Sequence, residues 1–133
     1  MTLRRLAPSV LLALTLGPVF AQSDAQKHAE SWLSLVDNRQ YAESWTEASA
    51  YFRARVARQQ WVDMVKSVRE PIGALKSRKT LKITTATSLP GAPDGEYTVI
   101  QFQSSFQNKA SAVETLTLMK DGGQWRPAGY FIR

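Results

Sequence analysis

Gly95-Glu-Tyr-Thr-Val-Ile-Gln-Phe-Gln-Ser-Ser-Phe106 and the segments from Glu114 to Leu118 and from Trp125 to Arg133 decide the fold. In the first, Ile100, Phe102 and Phe106 are even-numbered, while Gln101, Gln103 and, just beyond it, Gln107 are odd. Leu116 and Leu118 repeat the even phase against Thr115 and Thr117. Alternation with period two marks strands with one buried face, and a one-residue slip would turn every core side chain into solvent. A turn at Asn108-Lys109-Ala110 predicts Ile100 opposite Leu118, Phe102 opposite Leu116, and Ser104 opposite Glu114. Asp121-Gly122-Gly123 predicts the next hairpin. Pro127 cannot donate to a ladder, so the last strand is expected at a sheet edge or with a bulge there.

Working back, Leu75 to Ser88 reads as a strand before these three. Leu75, Leu81 and Ile83 are odd, and Lys76, Arg78, Thr80 and Lys82 are even. This predicts aliphatics inward and a basic outer face. The Leu89-Pro-Gly-Ala-Pro-Asp-Gly95 segment is a connecting loop by its Pro-Gly and Asp-Gly pairs. Pro71 is expected to stop whatever helix precedes it.

The region upstream of Pro71 reads as helix. Ser23-Asp-Ala-Gln26 fits a capping box, and Ala25, Ala29, Trp32, Leu33 and Val36 form one apolar stripe that ends at Asp37-Asn38. Tyr41 and Trp45 lie four apart on a second helix, from Gln40 to about Ala48. Ser49 caps a third segment with Phe52 and Val56. Trp61, Met64, Val65 and Val68 keep helical register after it, either as one bent helix with the third segment or as a separate one. Helices followed by a four-stranded antiparallel meander with one apolar face define an α+β layer pair.

The first 21 residues read differently. Arg4 and Arg5 precede an apolar run from Leu6 to Gly17, and Val19-Phe-Ala21 supplies small residues before Gln22. This pattern predicts a secretory signal peptide cut between Ala21 and Gln22, leaving a single domain over 22–133 with no transmembrane segment. A periplasmic or secreted location follows. The 133 residues include no cysteine, so the domain is expected to be stable on packing without disulfides. The 17 basic side chains less Arg4 and Arg5 leave 15 against 11 acidic, a net +4. That modest excess outside the cytoplasm points to anionic envelope partners before nucleic acid, or to solubility alone, and no nucleic-acid partner is expected.

Several chemistries lack their residues. A cysteine nucleophile is absent, and His28 is the lone histidine, which leaves zinc without a ligand set. No Gly-x-Ser-x-Gly elbow or glycine-rich phosphate loop occurs, and no cofactor is implied. Glu114 is the carboxylate that stands out, because its even phase places it on the face that meets the helices. A carboxylate there calls for a cation or several donors, and Arg69 and Arg78 flank the turn into the sheet. Glu114 with Arg69 and Arg78 reads either as a ligand site or as a structural ion pair. Lys76, Arg78, Lys79 and Lys82 read either as an anion patch on the outer sheet face or as a guard against edge-strand aggregation.

Trp32-Leu33-x-Leu35-Val36-Asp37, Ser44-Trp45, Arg69-x-Pro71-x-Gly73, Leu89-Pro-Gly-x-Pro-Asp-Gly-x-Tyr97, Glu114-Thr115 and Trp125-Arg-x-Ala-Gly-Tyr-Phe-Ile resemble the domain-of-unknown-function family 4019, small exported bacterial proteins. The resemblance runs from about residue 25 to 133. It implies a cystatin-like or NTF2-like packing of helix on curved sheet and carries no activity with it. Pro127 stands where the motif leads one to expect a β-former such as Val. Three functional readings remain open: a non-catalytic binding or interaction module of the cell envelope, taking a small ligand or an envelope protein; a small-pocket enzyme with Glu114 as general acid or base; and an accessory protein docking to anionic envelope components through the basic sheet face.

Overall fold

The computed structural model describes residues 23–133. The expected signal peptide over residues 1–21 and the expected cleavage between Ala21 and Gln22 fall outside the described residues. Four helices, α1 (Asp24–Asp37), α2 (Tyr41–Thr46), α3 (Ala50–Arg55) and α4 (Arg58–Ile72), precede four strands, β1 (Leu75–Ala86), β2 (Tyr97–Phe106), β3 (Lys109–Asp121) and β4 (Gln124–Ile132). The strands form one antiparallel sheet in the order β1-β2-β3-β4, and both β1 and β4 are edges. This is the expected α+β arrangement.

Ser23 caps α1, its Oγ accepting from the Gln26 amide at 3.2 Å. The capping box is half made, because the Gln26 side chain donates to Thr80 Oγ1 of β1 instead of returning to Ser23. All five residues of the α1 stripe are buried. They pack on Ile100, Phe102, Leu116 and Leu118, which are the even-phase residues of β2 and β3. In α2 the buried Ser44 collects both neighbouring indoles. Trp32 Nε1 donates to its carbonyl at 2.8 Å and Trp61 Nε1 to its Oγ at 2.9 Å, so neither buried N–H is left unmet.

Ser49 caps α3 as expected. The extended Val56 then separates α3 from α4, and its carbonyl accepts from Trp45 Nε1 at 2.7 Å. Two expectations for α4 need correction. Pro71 lies within the last turn, and the helix ends at Ile72 before Gly73, whose φ of +79° favours glycine. Met64 and Val68 are exposed, while Arg69 takes the buried position.

The β2–β3 pairing also differs by two residues from the expected register. Ile100 lies opposite Leu116, Phe102 opposite Glu114, and Ser104 opposite Ala112. The turn is the tighter Gln107–Asn108 pair, whose amides donate to the carbonyls of Ala74, just before β1, and of Ile72, the last residue of α4. A bulge between Ser104 and Phe106 takes up the extra residue. A shift of two preserves parity, so every side chain keeps its expected face.

The single-phase reading of β1 is wrong. Bulges fall between Leu75 and Ser77 and between Thr80 and Lys82. Arg78 and Thr80 therefore sit opposite Ser104 and Phe102, on the helix side, and Ile83 returns to that side opposite Ile100. Leu81, expected in the core, is the extra residue of the second bulge and is 54% exposed. In β4, Pro127 meets both expectations. The strand is an edge, and a register shift places Leu118 opposite Pro127 and Thr117 opposite Gly129. The Pro127 carbonyl accepts from the Ser49 amide at 2.8 Å, which ties the edge to the helical layer.

Candidate functional site

Glu114 is 0% exposed at the centre of a charged network between α1, α4 and the sheet. Its Oε1 accepts from Arg78 Nε at 2.7 Å and Ser104 Oγ at 2.5 Å. Its Oε2 accepts from Arg78 Nη2 at 3.1 Å and Tyr130 Oη at 2.5 Å. Arg78 continues to Asp37 at the end of α1, with Nη1 to Oδ2 at 2.8 Å and Nη2 to Oδ1 at 2.9 Å. Arg69 Nη2 reaches the same Oδ1 at 2.8 Å. Two guanidinium groups thus face two carboxylates, and the cluster has no net formal charge.

Burial alone would raise the Asp37 pKa, but the hydrogen bonds and charges of Arg78 and Arg69 outweigh it and hold the carboxyl below its ordinary value. Burial likewise opposes the charge on Arg78, and its bonds to Asp37 and Glu114 more than offset that. Tyr130 is pushed upward, first by burial and then by the adjacent Glu114 carboxylate. Arg69 is 4% exposed, and its Nε and Nη1 make no hydrogen bond. Its guanidinium lies 4.7 Å from the centre of the Phe106 ring, which supplies a cation–π contact.

The structure therefore brings Glu114 and Arg78 into direct contact and holds Arg69 one residue away, through Asp37. Sequence reasoning missed Asp37 and Tyr130; it set Ser104 beside Glu114, which Ser104 reaches from the diagonal position opposite Ala112 rather than from directly across. Asp37 was readable only as the end of α1, and nothing in the chain announced that this end would meet β1. Of the suggested anion patch, Arg78 must be removed, since the β1 bulges turn it inward. Lys76 is the exposed extra residue of the first bulge, and Lys82, opposite Gln101, stays on the outer face with Lys79.

One open concavity, of about 260 Å³, reaches the outer end of this network: Asp37, Arg78, Thr80 and Phe102 are in its wall and Glu114 is not. Others lie away from Glu114. One of about 370 Å³, between α1, α2 and the start of β4, is lined by His28, Trp32, Glu43, Glu47, Trp125 and Arg126 among others. Trp125 also borders a second, of about 450 Å³, with Thr85, Thr87, Glu96 and Tyr97. A third of about 270 Å³, between α4 and β4, is apolar and includes Met64, Val68 and Phe131. His28 is exposed at the first of these. No cluster of His, Cys, Asp and Glu suited to a metal ion occurs among the described residues. No helix among them is long and apolar enough to cross a membrane.

Helices laid on one face of an antiparallel meander, with an ion-paired carboxylate sealed between the layers, define an α+β domain. The chain belongs to the DUF4019 family of proteins of unknown function, whose model matches residues 28–130. No curated protein matches it.

Proposed function

We propose that this chain is a non-catalytic binding module of the bacterial cell envelope, cystatin-like or NTF2-like in fold and exported by the leader over residues 1–21. The observation that carries this reading is the contrast between two places. The carboxylate that enzyme chemistry would use is sealed, and the cleft on either side of Trp125 is open. A general base must come within hydrogen-bond reach of the proton it removes. Both Glu114 oxygens are already occupied by donors, and no solvent reaches them. The arrangement suits a structural ion pair better than a catalytic acid or base. The concavities at Trp125 match the size of small-ligand sites, roughly 300–1,000 Å³.

Native mass spectrometry of the protein taken gently from the exported fraction of its host tests this. The expected spectrum shows a chain beginning at Gln22 with a bound mass that is lost on denaturation and missing from Trp125→Ala. A bare wild-type chain would count against the binding reading. A chain retaining residues 1–21 would overturn export by a cleaved leader.

A further inference from the structure

We propose that the cleft divided by Trp125 is an oligosaccharide site, an inference that rests on the binding-module reading and names its ligand class. The lining decides the chemistry. On the α1–α2 side the cleft presents the carboxylates of Glu43 and Glu47, the guanidinium of Arg126, the amide of Gln124 and the imidazole of His28 around the Trp125 indole. Beyond Trp125 stand two threonine hydroxyls, Thr85 and Thr87, and the Glu96 carboxylate.

An anionic ligand would meet three carboxylates, and a cationic one would meet Arg126 together with Lys120, whose Nζ is 4.9 Å from the Trp125 ring centre. A lipid chain would need a continuous apolar lining, which the α4–β4 groove has and this cleft lacks. A neutral ligand rich in hydroxyls fits the mixture. Each sugar hydroxyl both donates and accepts, so it can meet carboxylate, amide and guanidinium in turn. The C–H face of a pyranose ring also packs on an indole.

The polar groups are free to be recruited. Arg126 donates to the Glu47 carbonyl at 3.3 Å, to Glu47 Oε2 at 3.4 Å and to Gln124 Oε1 at 3.3 Å. Gln40 Nε2 reaches Glu43 Oε2 at 3.3 Å. All four contacts are longer than the usual N–H···O range of about 2.7–3.2 Å, so sugar hydroxyls can replace them at little cost. Because Trp125 borders both concavities, a chain of more than one ring would cross the indole, with rings on either side.

The test is a ¹H–¹⁵N titration of the mature protein with three probes: the trisaccharide of N-acetylglucosamine, cellotriose and maltotriose. The expected result is saturable movement of the Trp125 indole signal and of the Gln124 and Arg126 amides with at least one probe. Trp125→Ala should weaken that binding at least about tenfold. Since Trp125 also packs against the core, the double variant Glu43→Gln with Glu47→Gln serves beside it. It changes only exposed carboxylates and should weaken the same probe while the remaining spectrum stays in place. The proposal is overturned if no trisaccharide moves these signals, or if the shifts map to the outer sheet face. A non-sugar ligand found by native mass spectrometry would sink the sugar assignment while leaving the binding module standing.

Discussion

Glu114 has two oxygens, four donor contacts meet them, and one side chain, Arg78, supplies two of the four. Replacing it by glutamine keeps the shape but turns an amide N–H₂ toward donors of Arg78, Ser104 or Tyr130. A buried pair broken on one side costs about 3–5 kcal/mol, because the remaining charge stays buried and unpaired. Glu114→Gln and Arg78→Met should each lose stability of that order in urea denaturation, and the double variant should lose less than the sum. Near-wild-type stability of Glu114→Gln would instead mark a group held for a ligand. Repeated across pH, the same denaturations read the rest of the network. Asp37 has a folded pKa below its unfolded value, so its contribution is complete above the unfolded pKa and is lost as pH falls through the folded one. Tyr130 is shifted upward, so its contribution is complete below the unfolded value of about 10 and is lost as pH rises toward the folded one. Asp37→Asn should therefore flatten the acid limb of the stability curve below about pH 4, and Tyr130→Phe the alkaline limb above about pH 10.

Elements whose apolar period runs unbroken were legible in the sequence, as was the irregularity that Pro127 marks in β4; the unmarked bulges of β1 were not. The α1 stripe, the Ser49 cap, the even faces of β2 and β3, and the edge position of β4 all follow from spacing and from proline's missing N–H. Glu114 was legible for the same reason, because parity survives a two-residue shift of register. β1 was misread because a bulge inserts one residue and reverses the phase beyond it, and Lys-Ser-Arg-Lys-Thr-Leu-Lys contains no glycine or proline to mark the place. That reversal aims Arg78 at Glu114 and leaves Leu81 in solvent. It can be tested directly. If Leu81 is the bulge residue, Leu81→Thr should change stability by no more than about 0.5 kcal/mol. Leu116→Ala, on the same sheet but fully buried, should cost about 2–5 kcal/mol. Comparable losses at the two positions in chemical denaturation would restore the unbroken phase and remove the physical basis for the Arg78–Glu114 contact.

For the whole molecule, the open sheet makes two edges that cannot pair within the chain, and the two are managed differently. On β4, the edge is broken by Pro127 and its bulge and tied down by the Ser49 amide. On β1, two bulges combine with the exposed Lys76, Lys79 and Lys82. Lysines and bulges are the usual means of keeping an edge from pairing with another copy, and β1 has reason to use them, since Leu81 and Ile83 are both exposed. With Arg78 turned inward, three of the four suggested cations, Lys76, Lys79 and Lys82, stay exposed on β1. Replacing Lys76, Lys79 and Lys82 together by threonine leaves a long edge strand of high β-propensity whose one remaining charge, Arg78, is turned inward. The triple variant should melt close to the wild type, because none of the three side chains is buried. It should scatter more light on refolding from urea at equal concentration, and neither protein should bind vesicles of anionic phospholipid near 0.15 M salt, where screening acts within about 8 Å. If the variant refolds as cleanly as the wild type, and only the wild type binds those vesicles with an affinity that falls steeply as salt rises, the lysines serve docking and the edge needs no guard.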